Sequence, residues 1–570
     1  MQPLLSIQNL SVDFISDERT VHALKEISIT VNKGEIVAVV GESGSGKSVT
    51  SLSVLQLLPV PPAKFVKGNI FFYEDEKQTD LLQLTHDEMQ EIRGSKIAMI
   101  FQEPMTSLNP VHTCGSQVKE AILAHKKTSN AEAQRQTLEL FAKVQLPNPE
   151  QLYHKYPHEI SGGQKQRVMI AMAMSCSPSL LICDEPTTAL DVTVQKNILD
   201  LIKQLQQQNN MGVIFISHDL GVIAGIADKI VVMYKGEIVE QATKDQLFKH
   251  PQHPYTKALL ACRPALYNKD ERLPVVSDFL NEEATGETIH HTKPSIQGST
   301  PLAIDNKPSV LLSLEHLKVW YPSKKTFFGK TTGYTKAVDG VSFDIYKGET
   351  IGLVGESGCG KTTVGRAIAG LLRATSGNII FDGINLINAS NEEWKKIRKD
   401  IQIIFQDPYS SLNPRKTIGE AIAEPLIVHG LYKSGSTSEE RVMELLQKVS
   451  LLPEHYYRYP HEFSGGQRQR IVIARALALQ PRFVICDESV SALDVSVQAQ
   501  VLNLLNDLKA EFDFTALFIS HDLSVVKYIS DRIIVMNKGQ VEETGKAEDI
   551  YYRPTKAYTQ KLISAIPEIA

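Results

Sequence analysis

The sequence lacks the features that would assign it to a membrane, to a cysteine or histidine metal site or to nucleic acid. No apolar run in its 570 residues approaches the roughly 18 that a membrane span needs, and the first residues lack the basic and apolar regions of a signal peptide. Its 6 cysteines are scattered, with no CxxC pair and no histidine cluster at metal-ligand spacing. The net charge of −5 shows no basic excess of the kind that nucleic-acid binding requires. These absences predict a cytoplasmic protein that reaches a membrane only through partners.

Two glycine-rich stretches stand out in what is present. Each fits G-x-x-x-x-G-K-[ST], the phosphate-binding P-loop, and each lies between an apolar run (Ile36–Val40 and Ile351–Val354) and helix-compatible sequence. Glycines let successive backbone N–H groups point at one phosphate, and the following helix offers its positive N-terminal end to the same anion. The lysine would reach the β- and γ-phosphates, and the hydroxyl after it would bind Mg²⁺. The predicted loops consist of Gly41, Glu42, Ser43, Gly44, Ser45, Gly46, Lys47 and Ser48, and of Gly355, Glu356, Ser357, Gly358, Cys359, Gly360, Lys361 and Thr362.

The sequence contains two copies of one repeated unit. Glu42-Ser43-Gly44 returns 314 residues later, and Ser217-His218-Asp219 returns 303 residues later. Between the copies runs a polar stretch with scattered Pro, Gly and Thr, which is the composition of a flexible linker rather than of a third core. We therefore predict domains at residues 1–264 and 310–570, joined by a linker at 265–309.

Within each copy, short apolar runs alternate with helical patterns. Val213–Ser217 and Ala516–Ser520 have the character of buried parallel strands, whereas Asn197–Gln208 and Val501–Glu511 place apolar residues at helical spacing. The alternation predicts an α/β fold with a mainly parallel sheet. A Ser-Gly-Gly-Gln stretch also predicts a helix start with serine as its cap. Its residues are Ser161, Gly162, Gly163 and Gln164 in the first copy and Ser464, Gly465, Gly466 and Gln467 in the second.

The order of P-loop, glutamine, Ser-Gly-Gly-Gln, Asp-Glu, Ala-Leu-Asp and histidine resembles the ATP-binding-cassette ATPases over nearly all of both halves. The resemblance implies two tandem P-loop NTPase domains, each with a helical signature subdomain, that hydrolyse ATP with Mg²⁺. It implies that Asp184 and Asp487 bind Mg²⁺ through water. It also implies that Glu185 and Glu488 polarise the attacking water as general bases.

The resemblance assigns one further residue of each cassette to each of four roles. These roles are contact with Mg²⁺ and the water, contact with the γ-phosphate, the loop that crosses between cassettes, and an aromatic ring against adenine. In that order the pairs are Gln102 and Gln406, His218 and His521, Asp191 and Asp494, and Phe14 and Tyr321.

In this family the Ser-Gly-Gly-Gln signature of one cassette completes the ATP site of the other. The resemblance thus pairs the first P-loop with the signature at Ser464 and the second P-loop with the signature at Ser161. Both signatures and both glutamates are intact, so we expect two sites that hydrolyse ATP. Ser489 of the second copy stands where the first has Pro186, which removes no catalytic group.

Two biological roles fit a pair of cassettes without a membrane span. One is the energising subunit of a membrane transporter whose permeases are separate chains. The alternative is a soluble ATPase that acts on ribosomes or nucleic acid without a permease. Such soluble factors generally join their cassettes by a long charged helix and carry basic surface, whereas this linker is irregular and the chain slightly acidic. The composition favours the transporter subunit.

The segment His253-Pro254-Tyr255-Thr256, echoed by Lys556-Ala557-Tyr558-Thr559, resembles the tail of the peptide and nickel importer group. Fused two-cassette members of that group serve importers of dipeptides, oligopeptides, glutathione or peptide-like solutes. The resemblance implies two integral membrane permeases and an external solute-binding protein as partners, with no nucleic acid. It places the chain peripherally on the inner face of the cell membrane.

Overall fold

The computed structural model describes residues 3–16, 19–74, 77–102, 107–188, 190–285, 309–325, 331–432 and 436–566. Contacts divide the chain into two units. The first is built on the sequence up to Leu260. The second comprises Ala261–Asp278 together with the second sequence copy.

The first unit contains ten described strands in two sheets. A four-stranded antiparallel sheet has the order β2-β1-β4-β5, and a six-stranded sheet has the order β10-β9-β3-β8-β7-β6. In the larger sheet all neighbours are parallel except β9 and β10. The strands are β1 Pro3–Ile15, β2 Thr20–Asn32, β3 Ile36–Val40, β4 Ala63–Glu74, β5 Lys77–Asp80, β6 Ile97–Ile100, β7 Leu180–Asp184, β8 Gly212–Ser217, β9 Lys229–Tyr234 and β10 Glu237–Thr243.

The core of the first unit lies on both faces of its six-stranded sheet. In β8, Val213 and Phe215 pack in a cluster with the helices, whereas Ile214 and Ile216 pack in a second cluster with the antiparallel sheet. Successive side chains of a strand point to opposite faces, so a strand covered on both sides must be apolar at every position. This explains why the central strands read as unbroken apolar runs.

The described helices of this half of the chain begin mostly at Ser, Thr or Asp caps, whose side chains accept a backbone N–H of the first turn. The helices are α1 Lys47–Val54, α2 His86–Ile92, α3 Cys114–His125, α4 Asn130–Lys143, α5 Pro149–Tyr153, α6 Gly162–Ala173, α7 Val192–Asn209, α8 Leu220–Ile226, α9 Lys244–Lys249, α10 Pro254–Ala261 and α11 Val276–Thr285, with 3₁₀ turns at Leu81–Gln83, Pro157–Glu159 and Pro264–Leu266. Residues of α3 to α6 pack in one apolar cluster together with strands of the six-stranded sheet, and these four helices form the predicted helical subdomain.

The second unit repeats this architecture, with sheets in the orders β12-β11-β14-β15 and β16-β17-β18-β13-β19-β20. Its strands are β11 Val310–Lys325, β12 Thr331–Tyr346, β13 Thr350–Val354, β14 Ser376–Phe381, β15 Ile384–Asn385, β16 Ile401–Ile404, β17 Phe483–Asp487, β18 Thr515–Ile519, β19 Arg532–Asn537 and β20 Gln540–Lys546. Its helices are α12 Lys361–Ile368, α13 Asn391–Asp400, α14 Pro408–Ser411, α15 Ile418–Val428, α16 Ser436–Lys448, α17 Gly465–Leu477, α18 Val495–Phe512, α19 Leu523–Ile529, α20 Ala547–Tyr552 and α21 Ala557–Ser564, with 3₁₀ turns at Pro453–Tyr457 and Pro460–Glu462.

Part of the predicted linker is ordered against the second unit, which differs from the flexible stretch that we expected. Leu273 is 1% exposed, and its backbone N–H and C=O pair with the side chain of Asn503 at 3.0 and 2.8 Å. Lys527 donates to the carbonyl of Tyr267, and Tyr528 donates to that of Glu271. Backbone groups of the segment supply part of this attachment, and they leave no signal in the sequence. Residues 286–308 of the predicted linker lie outside the described residues, and the domain boundaries stay a prediction.

Candidate active sites

Both P-loops connect a central strand to a helix, β3 to α1 and β13 to α12. Gly46 and Gly360 adopt φ of 102° and 107°, a region that favours glycine. A Cβ at Gly46 would lie 2.7 Å from a methyl carbon of Leu24, and one at Gly360 would lie 2.2 Å from the carbonyl oxygen of Ala337. Glycine is therefore required at the last position before each lysine.

The two P-loop lysines are buried and held by their own loops. The Nζ of Lys47 donates to the carbonyl oxygens of Gly41 and Glu42 at 2.7 and 2.8 Å. The Nζ of Lys361 donates to those of Gly355 and Glu356 at 2.7 and 3.0 Å. Each ammonium thus lies inside the curve of the loop, where a bound phosphate group would meet it.

The loops leave room for an anion. Gly44 and Gly358 have φ of +80° and +79°, and a Cβ added at either would meet nothing within 4 Å. A helix N-terminus follows directly on the loop, and N–H groups at such an end favour negative charge. The residues present therefore fit a phosphate group.

The predicted metal-binding residues meet in each unit. The hydroxyl of Ser48 donates to Oδ1 of Asp184 at 3.2 Å, and that of Thr362 donates to Oδ1 of Asp487 at 2.8 Å. Burial raises the pKa of both aspartates, against the lowering effect of the hydroxyl, and the neighbouring glutamate raises it further. Hydroxyl and carboxylate oxygens suit Mg²⁺. Within the part of the chain that the structure describes, no group of three or more His, Cys, Asp and Glu could hold a metal, so a cation here would need phosphate oxygens to complete its ligands.

Each predicted general base follows the predicted metal-binding aspartate and has an unusual backbone conformation. Glu185 and Glu488 have φ of 48° and 49°, which is uncommon for a residue with a side chain. Their N–H groups donate to the carbonyls of Ile216 and Ile519 on the adjacent strand, at 3.0 and 2.9 Å. Strain of this kind concentrates at functional sites, and here the strand pairing holds it in place.

The glutamine, glutamate and histidine predicted for each site come together. In the first unit, Nε2 of Gln102 and Nδ1 of His218 lie 3.0 and 3.2 Å from Oε2 of Glu185. In the second, the matching distances to Oε2 of Glu488 are 2.9 Å from Gln406 and 3.4 Å from His521. These three residues come from separate parts of the sequence, and the sheet brings them to one edge.

The arrangement lowers the pKa of both glutamates. Burial alone would raise the pKa of Glu185, but the hydrogen bond and charge of His218, with Lys47 and Thr188, lower it to about 2. The same balance of burial against His521 and Lys361 lowers the pKa of Glu488. A carboxylate in this form can accept a proton from water once its partners turn away.

The Ser-Gly-Gly-Gln signatures are capping boxes. Ser161 caps α6, since its side chain accepts the N–H of Gln164 while the Gln164 side chain accepts the N–H of Ser161, and the Ser464 signature does the same for α17. A Cβ at Gly163 would lie 2.7 Å from Val194, and one at Gly466 would lie 2.3 Å from Val497. Packing therefore requires the second glycine.

The first glycine of each signature is not required by its own unit. A Cβ at Gly162 would meet only Leu190, at 3.8 Å, and one at Gly465 would meet nothing within 4 Å. The open space at this position is compatible with the close approach of another group.

Four predicted residues remain: two aspartates that precede helices and two aromatic residues on the antiparallel sheets. Asp191 caps α7 by accepting the N–H of Val194, and Asp494 occupies the same position before α18. Phe14 and Tyr321 both lie on the antiparallel sheets. Phe14 packs against the core of the first unit, whereas Tyr321 is 40% exposed. Contact of these two rings with adenine stays a prediction.

Two kinds of contact at these sites are not predicted from the sequence. The hydroxyl of Tyr255 accepts the N–H of Glu42 in the first P-loop at 2.9 Å, and that of Tyr558 accepts the N–H of Glu356 at 3.2 Å. These tyrosines were noted only as markers of a subgroup, although their repetition signals a role near the loop. The second contact, from Thr188 to Glu185, has no such signal.

Comparison with known proteins gives two family matches. A model described as ABC transporter matches residues 24–188 and 338–491. A model described as oligopeptide/dipeptide transporter, C-terminal region, matches residues 239–285 and 542–570.

Curated relatives match along the whole chain. The glutathione import ATP-binding protein GsiA of Shigella boydii serotype 4 is 47% identical over 99% of this chain and 89% of its own length. The protein of that name from Escherichia coli K12 has the same identity and coverage. Among solved structures, a dimeric ATP-binding cassette bound to ADP and Pi is 31% identical over 41% of this chain and 98% of its own, with a TM-score of 0.38, too low to support an inference.

Proposed function

The chain belongs to the ABC transporter family, and on that basis we propose that it is the ATP-hydrolysing subunit of a membrane importer for peptides or peptide-like solutes. Each half carries a P-loop, a metal-binding aspartate and a glutamate held by glutamine and histidine. The chain is thus an ATPase with two cassettes.

The observation that carries the importer assignment is the second family match. The C-terminal region of oligopeptide and dipeptide transporters matches after each cassette, at residues 239–285 and 542–570. The relatives at 47% identity, named as glutathione import ATP-binding proteins, support a peptide-like solute. Both weigh against the alternative of an ATPase that acts on ribosomes.

The chemistry assigned to each site follows from its side chains. Bound MgATP supplies a phosphoanhydride bond whose hydrolysis needs charge neutralisation and an oriented water. Lys47 would turn from its loop carbonyls to phosphate, and Ser48 with Asp184 would hold the cation. Gln102 and His218 would turn from Glu185 toward the cation and the phosphate, which frees the carboxylate to accept a proton from water. The second cassette would work in the same way.

The proposed partners follow from the importer assignment. Among the described residues, no helix is long and apolar enough to cross a membrane. An importer needs membrane permeases, and we propose two of them together with an external solute-binding protein. The chain would then lie peripherally on the inner face of the membrane. The assignment of each signature to the ATP site of the opposite cassette stays a prediction.

The experiment that tests this function uses the variant Glu185→Gln with Glu488→Gln. Glutamine preserves size and hydrogen bonding but cannot accept the proton, so we expect ATP to bind while steady-state hydrolysis and solute uptake fall by at least about 100-fold. Intact hydrolysis in this variant would show that the base is misassigned. If solute uptake stays intact while hydrolysis is lost, this chain is not the subunit that energises the importer.

A further inference from the structure

Glu185 has a third partner that the sequence motifs do not account for. The Oγ1 hydroxyl of Thr188 donates to Oε2 of Glu185 at 2.9 Å. Oε2 is the oxygen that Gln102 and His218 also contact. Among the described residues, all hydrogen bonds to this carboxylate therefore fall on one oxygen.

The three partners of Glu185 differ in whether nucleotide binding would displace them. The glutamine and the histidine are both assigned to the nucleotide and its cation, so each must leave Oε2 when the site fills. Thr188 has no such assignment. Its hydroxyl would be the contact that still fixes the carboxylate when the water is attacked, and a hydrogen bond to a charged oxygen is among the stronger ones in proteins.

The second cassette lacks this contact, although it has a hydroxyl at the matching position. Ser491 donates to the backbone carbonyl oxygen of Glu488 at 2.9 Å instead of to its carboxylate. The backbone turn is the same in both units, since the N–H of Thr188 and that of Ser491 lie 3.2 and 3.3 Å from the carbonyl oxygen three residues before. The difference is therefore one of side-chain direction, and the β-branch of threonine restricts that direction more than the unbranched side chain of serine does.

We propose that Thr188 is a positioning residue that holds Glu185 for proton transfer, and that the two ATP sites are unequal because Ser491 does not do this for Glu488. The inference rests on the proposed role of Glu185 as general base. We therefore expect Glu185 to be held in the orientation for proton transfer. Glu488 has no matching contact and must reach that orientation in each reaction cycle.

The test compares Thr188→Val with Ser491→Ala in the full-length chain. Each variant removes a hydroxyl and little else. We expect Thr188→Val to lower kcat for ATP hydrolysis with KM unchanged, and Thr188→Ser to recover part of the loss. Ser491→Ala should stay within about twofold of the unmodified chain. In a Glu488→Gln background, where only the first site works, the loss from Thr188→Val should reach about tenfold, the scale expected for the loss of one hydrogen bond to a charged group.

Two results would overturn the proposal. One is an equal loss of kcat from Thr188→Val and Ser491→Ala. The other is a rise in KM with kcat unchanged, which would mean that the hydroxyl serves binding or the fold. Glu185→Gln separates this failure from that of the proposed function, because it must abolish hydrolysis at the first site whether or not Thr188 matters.

Discussion

Loss of the Asn503 side chain should weaken the attachment of residues 267–276 to the second unit. Asn503 is 4% exposed, and its side-chain amide satisfies both backbone groups of Leu273, which is itself 1% exposed. Asn503→Leu keeps the volume but leaves a buried N–H and a buried C=O without partners. Each such group costs about 1–3 kcal/mol. Because water can enter as the segment loosens, we expect the segment's free energy of local opening to fall by about 2–4 kcal/mol in total.

Hydrogen exchange followed by mass spectrometry reports this local opening directly, whereas a global unfolding curve of two cassettes has no single transition. Since 1.4 kcal/mol corresponds to a factor of about ten, exchange of amides in 267–276 should accelerate by about 30- to 1000-fold. Asp200→Leu is the matched control, because Asp200 is the exposed residue at the same position of α7 in the first cassette. Unchanged exchange in 267–276 after Asn503→Leu would refute the reasoning.

Three further predictions concern the sites. Gly466→Ala should lower the free energy of local opening of α17 by about 1–3 kcal/mol in hydrogen exchange, since its Cβ would lie 2.3 Å from Val497. Gly465→Ala, in open space, should not, and equal losses would contradict the packing argument. Lys47→Ala should abolish binding of a fluorescent ATP analogue at the first site; retained stoichiometry of two would contradict this. Tyr255→Phe removes an acceptor of the Glu42 N–H. Because one such hydrogen bond contributes about 1 kcal/mol, we expect KM for ATP to rise about fivefold. An unchanged KM would exclude a role of Tyr255 in shaping the loop.

Most of the elements that position the active-site residues could be predicted from the sequence, because strand burial and helix capping leave local sequence patterns. The apolar run at Leu180–Cys183 marks a strand buried on both faces, and Ser161 with Gln164 marks a capping box. The predicted parallel α/β core, the helical subdomain and the membership of the family are confirmed.

Other features leave weaker signals. The strands β1 and β2 pair through several register shifts, so their alternation is irregular and the antiparallel sheet was not predicted. The docking of Leu273 depends on backbone groups that any sequence possesses. Threonine and serine both offer a hydroxyl at this position, so the sequence does not show that the Thr188 hydroxyl contacts the carboxylate of Glu185 whereas that of Ser491 contacts a backbone carbonyl.

The importer assignment can be tested by recovering the tagged chain from membranes of its native host and assaying ATP hydrolysis. We predict that two hydrophobic permeases are recovered with it and that their presence changes the rate of hydrolysis. Recovery of the chain with ribosomes, and without a permease, would contradict the importer assignment.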